Sequence, residues 1–412
     1  MNPQNKLIAR IQSVCLLIIA AWFIVPSLYA TRDFRFLVVA ATAIWIVFEY
    51  ADNPVDFLKF DWSKIALTAT IAILILGEYA SGGTAGLRSA ITLVIALSLV
   101  FIGTQMIKRP YHEFYWVAIA IIGLFVFVAL SSNEELAEDQ WAGRAVVRNS
   151  DRAHELASEN VAGYIFAYFA SGLCPILVFL SLRLPFSDFK NSLLRITAAF
   201  GLLIGAIFLF RAGYGIAIIS AAIGCLIVGT PGKLNTPIFW AGLLAAIVVF
   251  FMFREPIFEQ SKSFTKGGPL YRKVLALEEM SSLEGTGDVD SKGRLERYTR
   301  SINSFLDSPL VGTLSPTGVG KHSTLLDAFA KFGLLSGLSL ILALSLPLYH
   351  IYQIVEPANK KLVLASAICL LMHAGLNNLQ SGSTLAVFVF MPFAISVIQQ
   401  PNPQTNTAPA HN

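Results

Sequence analysis

Long apolar runs dominate this chain, in place of the alternation of a half-buried strand or the one-sided stripe of a soluble helix. A helix crosses the hydrocarbon core of a bilayer with roughly 20 apolar residues. Runs of about that length, bounded by charge, Gly or Pro, follow one another at 8–30, 34–50, 63–80, 88–107, 111–130, 161–183, 192–210, 213–229, 236–253, 326–349, 361–380 and 383–399. They predict about twelve transmembrane helices and an all-α polytopic membrane protein. The first run follows Lys6 and Arg10 in the manner of a signal peptide. Its apolar stretch is too long for one, and Leu28 spoils an A-x-A site before Ala30, so it is expected to remain as the first span.

The polar positions between the runs set an orientation. Lys6, Arg10, Lys59, Lys64, Lys108, Arg109, Arg183, Lys190, Arg195, Lys233, Lys360 and Lys361 fall on one side of the alternating pattern, whereas the short loops of the other side hold only Arg32, Arg88 and Arg211. Basic residues concentrate in cytoplasmic loops, so both termini are expected inside. The two long loops, 131–160 and 254–325, are expected outside, in the periplasm of a bacterial inner membrane. The organisation expected is a block of nine helices over 1–253, a catalytic loop over 254–325, three further helices over 326–400 and a cytoplasmic tail over 401–412.

Composition excludes a soluble enzyme: 55% of the 412 residues are apolar and 14% charged, against about 25% charged in soluble domains. The net charge of +4 is too small and dispersed for nucleic acid. Cys15, Cys174, Cys225 and Cys369 all lie in apolar runs without C-x-x-C spacing, which marks them as small buried hydrophobes.

The 254–325 loop is too long for a connector and is the expected seat of function. Tyr271 to Met280 has a helical pattern, SSLEGTGDVDSKG is a polar break, and RLERYTRSINSFL (294–306) places Leu295, Tyr298, Ile302, Phe305 and Leu306 on a helix suited to a membrane surface. Ionisable groups at a membrane boundary are costly unless used or paired. Arg211, at the outward turn of FLFRAGYG, reads either as a phosphate ligand or as an arginine snorkelling to lipid headgroups. Arg294 opens the loop helix, where backbone N–H groups favour an anion. Arg297 and Arg300 read first as its solvated face. His322, between flexible backbone and the start of a span, is either a base working near neutral pH or a histidine satisfied by a loop carbonyl.

SPLVGTLSPTGVGKHSTLLDAFAKFGLLSG (308–337) resembles the signature segment of the O-antigen ligase and polymerase family, in which His-[Asn/Ser/Gln] is followed by nine residues and Gly. Here these are His322, Ser323, residues 324–332 and Gly333. The family next expects Gly, Thr or Tyr three positions on, whereas this chain has Ser336 and then Gly337. FLFRAGYG and GRLERYTRSINSFLDSPLVG are similar to the family's two arginine-bearing segments, which places those roles on Arg211 and Arg294. SENVAGYIFAYF (158–169) resembles an Asn-led start of a span, with Asn160, Arg148, Arg152 and Arg297 as supporting residues.

The resemblance implies a fold of the GT-C kind and an inverting, metal-independent glycosyltransferase without cofactors. Its donor would be O-antigen polysaccharide on undecaprenyl diphosphate and its acceptor a lipid A-core sugar, both reached through the membrane. The leaving diphosphate needs fixed cations, which Arg211 and Arg294 would supply, and the attacking hydroxyl needs a base, which His322 would supply. Asp288-Val289-Asp290 has the spelling of a metal-binding pair but sits in the Gly/Ser-rich break, so no metal is expected. An O-antigen polymerase is the alternative within the same chemistry, and a transporter of lipid-linked sugars the alternative outside it.

Overall fold

Each of the twelve apolar runs holds a helix, the outcome that a bilayer imposes on a chain whose backbone polar groups must pair with one another. The computed structural model describes residues 3–398 except 32, 60, 107–113, 140–141, 146–150, 187, 233, 235, 267–270, 272–273, 276–288 and 316–318. In chain order the principal helices are α1 (Pro3–Ile24), α2 (Phe34–Asp52), α3 (Trp62–Met106), α4 (Phe114–Glu138), α5 (Asp151–Ser158), α6 (Tyr164–Arg183) and α7 (Phe189–Ala212). There follow α8 (Gly215–Gly229), α9 (Pro237–Met252), α10 (Arg254–Thr265), α11 (Val289–Asp307), α12 (Thr324–Ile354) and α13 (Lys360–Leu376). The last, α14 (Ser381–Leu385), continues through a π-helical turn (Ala386–Phe390) into α15 (Met391–Ile398). No strand occurs among the described residues.

Eight stretches are long and apolar enough to cross a membrane: Leu7–Ile24, Phe34–Asp52, Trp62–Ala80, Tyr115–Glu138, Tyr164–Arg183, Phe189–Ala212, Thr324–Ile354 and Ser381–Ile398. Ile91–Met106 and Gly215–Gly229 are shorter apolar helices. The chain is thus an all-helical, multi-pass membrane protein.

Burial separates centre from periphery. In α6 and in Ser381–Ile398, 78% and 83% of the apolar window is buried, against 28% in α2 and 22% in the first half of α3. The central pair packs through Phe169 and Phe390, whose ring centroids lie 5.9 Å apart, and Phe169 also meets Phe125 of α4 at 5.8 Å. Small residues let backbones approach, as membrane helices require: a Cβ on Gly103 would overlap the Phe388 carbonyl, so the π-helical turn lies directly on α3. Phe36, Val47, Leu76 and Tyr79, on α2 and the first half of α3, remain exposed to the surroundings. Cys15, Cys174 and Cys369 are buried and Cys225 half-buried, where they fill space as the apolar context predicts.

Connections gather at two ends. At one, the Arg195 guanidinium donates to the Leu184 carbonyl at 2.8 Å, the Tyr115 hydroxyl to the Lys190 carbonyl, and the Lys361 ammonium to the Thr230 carbonyl. At the other, Ser27 donates to Asn160 Oδ1 at 2.7 Å, Tyr214 to the Gly143 carbonyl at 2.7 Å and Tyr298 to the Leu376 carbonyl at 2.6 Å.

Two helices are broken by a glycine of positive φ, α3 at Gly83 (φ 57°) and α12 at Gly333 (φ 77°). The run 361–380 is shorter than expected. Its helix ends at Leu376 because Asn377 turns to an extended conformation and spends its amide on other helices. The loop helix α11 is already formed at Val289, so 289–293 of the expected polar break are helical. Of the helix expected over Tyr271 to Met280, only Tyr271, Val274 and Leu275 are described, and they are helical. The tail 401–412 lies outside the described residues.

Candidate active site

The segment that carries His322 is gripped from three directions. Gly320 packs so closely on α11 that a Cβ there would overlap the Arg297 carbonyl, and its N–H donates to Ser301 Oγ at 2.9 Å. Ser301, buried, passes its own proton to Asp327 Oδ1 at 2.7 Å. Asp327 stands in the first turn of α12 and its carboxylate also accepts from the Lys321 and Ser323 N–H groups at 3.3 and 3.4 Å. Ser323 caps the helix by accepting from the Leu326 N–H at 3.2 Å. A carboxylate and a hydroxyl at a helix N-terminus satisfy donors that the helix leaves unpaired.

From the other side, the break between α13 and α14 receives the same loop. Thr324 N–H donates to the Asn377 carbonyl at 3.2 Å, Leu379 N–H to Thr324 Oγ1 at 2.6 Å, and Asn378 Nδ2 to the Lys321 carbonyl at 3.1 Å. The Asn377 amide donates to the Tyr164 hydroxyl at 2.7 Å and to that of Tyr168. His322 is thereby fixed on a rigid base while its own ring stays half-exposed at the end of the bundle.

Beneath this break lies a fully buried polar cluster. His373 Nε2 is 2.7 Å from Ser220 Oγ and 3.1 Å from Ser171 Oγ, and its Nδ1 is 2.8 Å from Ser383 Oγ. Tyr168 meets the imidazole edge-on at 4.6 Å. One side chain therefore ties α6, α8, α13 and α14 together just below the His322 seat.

The spacing of the signature segment has a mechanical reason. Gly333 breaks α12, which frees the carbonyls of Ala330 and Lys331; these accept from the N–H groups of Thr313 at 3.0 Å and Leu314 at 2.9 Å. The freed Leu334 N–H donates to the Pro309 carbonyl at 2.8 Å. Only glycine fits at the contact, since a Cβ on Gly333 would overlap the Leu310 carbonyl and one on Gly312 (φ 67°) the Lys331 carbonyl. The turn after α11 and the broken helix are thus one joint. Gly337 supplies close packing one position after Ser336, its Cα lying under the Phe329 ring. Lys331 pairs with Glu78 of α3 at 2.6 Å, and both side chains are largely buried.

Arg297, not expected to lead, is the guanidinium that meets the base: its Nη1 donates to His322 Nε2, which puts the ring proton of a neutral imidazole on Nδ1. Arg294 lies three residues earlier on the same helix, in its second turn; because α11 is helical from Val289, the anion-binding N–H groups of a first turn are not at Arg294. The Arg294 side chain lies outside the described residues, as do Arg148 and the side chains of Asp288 and Asp290.

Arg211 ends α7 at the same end of the bundle, exposed, with Nη1 donating to the Asn133 carbonyl at 2.6 Å. It connects to the His322 seat through Tyr214, whose ring meets Tyr164 at 4.8 Å. Arg152 is engaged by Asp139 in an exposed ion pair, and Asn160, in a left-handed conformation (φ 62°), accepts from Ser27. Arg300 is exposed on α11.

The sequence pattern missed Asn377, Tyr164, Ser301 and the partners of His373. A signal existed for the first: the polar cluster NNLQSGS interrupts an apolar stretch. Among the described residues, no three His, Cys, Asp or Glu side chains come together as a metal site. No family model matches the chain, and no curated protein matches it.

Proposed function

We propose that this protein is an inverting glycosyltransferase that moves a glycan from undecaprenyl diphosphate to an acceptor hydroxyl, as an O-antigen ligase does. The carrying observation is that His322 is held by backbone and side-chain contacts on a rigid seat, with Arg297 against it and Arg211 at the same end of the bundle.

In this reading the acceptor O–H attacks the anomeric carbon, His322 takes its proton, and the bond from that carbon to the diphosphate oxygen breaks with inversion. The departing diphosphate gains charge, which Arg211 and Arg294 neutralise. Arg297 holds the imidazole until donor arrives. In this reading the chain crosses the inner membrane twelve times, with the lysine-rich end and both termini in the cytoplasm and the site at the periplasmic face. The exposed apolar stripe of Leu295, Ile302 and Leu306 on α11, continued by Leu310 and Val311, suits a helix that rests on the outer leaflet. Polysaccharide joined to a lipid A-core sugar defines the ligase; growth of the chain on its own lipid carrier defines the polymerase.

Transfer of labelled glycan by the purified chain in detergent, without a sealed membrane, tests the reading. Wild type transfers, and His322→Ala falls by roughly 10²–10⁴ while donor binding persists. Arg211→Lys loses most activity because a point charge does not replace a planar two-pronged donor. Absence of transfer in detergent, with uptake of lipid-linked sugar in sealed vesicles, would favour transport, a reading that the fully buried His373 cluster beside the break between α13 and α14 also accommodates.

A further inference from the structure

At the lysine-rich end, far along α12 and α13 from His322, residues of the two helices line a lateral groove of about 190 Å³. Leu344, Leu348, Tyr349, Tyr352, Leu364 and Leu371 form most of its walls. Tyr349 and Leu371 are more than half exposed, so the groove opens sideways toward lipid. It is smaller than the roughly 300–1,000 Å³ of a small-molecule pocket and its only polar lining groups are Ser345 and two phenols. Such a space takes part of a hydrocarbon chain.

The charge at its mouth selects what that chain belongs to. The Lys360 ammonium stands 4.5 Å above the ring of Tyr352, itself a wall of the groove. Lys361, in contrast, turns inward to the Thr230 carbonyl and the Phe239 ring, and the charge of Arg183 acts on it there. Three cations thus surround the end of α13, and Lys360 is the one aligned with the groove. Glu356 is the single acidic residue between 350 and 365. Tyr349 and Tyr352 are amphipathic rings of the type that seats at headgroup depth.

We propose that the groove between α12 and α13 binds one anionic phospholipid, with an acyl chain between the helices and the phosphate at Lys360. The inference depends only on the chain being a membrane protein and is independent of the transfer reaction.

Native mass spectrometry of the full chain released from nanodiscs of equal phosphatidylglycerol and phosphatidylcholine tests it. One lysine near an anionic lipid surface favours binding by about 1 kcal/mol, or roughly fivefold. Wild type should retain phosphatidylglycerol about fivefold over phosphatidylcholine, and Lys360→Arg should keep that preference. Lys360→Glu should abolish it, and Ala367→Phe, which fills the groove, should shed the lipid altogether. Lys59→Glu, at the same end but away from the groove, should leave it unchanged. Equal retention of both lipids by wild type, or an intact preference in Lys360→Glu, would overturn the proposal. So would a lipid-free dimer, in which a second copy covers the groove.

Discussion

The two broken helices, α3 at Gly83 and α12 at Gly333, share a positive φ and differ in everything around it. At Gly83 nothing among the described residues lies within 4 Å of where a Cβ would stand. At Gly333 the chain of 309–314 occupies that space and takes up the hydrogen bonds released by the break. The first break is a turn between two apolar helices. The second is a joint, in which the loss of helical hydrogen bonds is offset by bonds to a distant segment. A glycine of unusual conformation is therefore not informative by itself; the neighbours it admits decide whether it is hinge or socket.

The largest effect is expected at the socket. Gly333→Ala combines backbone strain of about 1–3 kcal/mol with overlap on the Leu310 carbonyl, and should displace 309–314, α11 and with them Arg297. Thermal unfolding shifted down by several degrees, with transfer reduced at least tenfold, would be the expected pair of readings; wild-type behaviour in both would reduce the joint to a passive turn.

Next is the polar cluster beneath the seat. His373→Phe takes the imidazole from Ser383 Oγ, while Ser171 and Ser220 keep each other and the Ala217 carbonyl, and a buried polar group that loses its partner costs about 1–3 kcal/mol. Stability should fall by that order in a denaturation series, and His373→Asn should recover part of it.

The ion pair of Lys331 with Glu78 links the socket to the helix that contains Gly83. Glu78→Gln should cost about 1–2 kcal/mol, between the values for exposed and buried pairs. The double exchange Glu78→Lys with Lys331→Glu should restore most of it, and additive losses in that cycle would show that the two helices are not coupled through this pair.

Gly83→Ala is expected to cost no more than the strain alone, because its open surroundings allow the backbone to relax, and to leave transfer unaltered. The smallest effect belongs to Arg300→Lys, which should match wild type in both transfer and unfolding.

The helical architecture was legible because a bilayer makes one demand of a spanning segment, length of apolar sequence, and that is a local property. What was not legible depended on pairing across the chain. His373 reads as a lone polar residue in an apolar run, and its partners Ser171 and Ser220 lie 202 and 153 positions away. Arg297 and Arg294 are indistinguishable as basic residues of one helix; only the docking of Gly320 on the Arg297 carbonyl decides which meets His322. Asn377 falls inside an apolar run by pattern because three polar residues at its end, Asn377, Asn378 and Gln380, resemble an ordinary boundary. The partners of Arg152 and Asn160, Asp139 and Ser27, are likewise set by the fold, 13 and 133 positions away.

The π-helical turn at Ala386–Phe390 carries a further consequence, for changes in chain length. A π turn holds one residue more than the α-helical turn it replaces. Deleting Val387 would regularise the helix, a change that looks harmless on paper. It would also rotate everything before the turn by about 100° relative to everything after it, carrying Ser383 off the His373 ring and Gly382 off the α6 backbone on which it lies. In a reading frame tolerant of substitution across its lipid-facing residues, this is a place where a single in-frame codon loss should be as damaging as truncation.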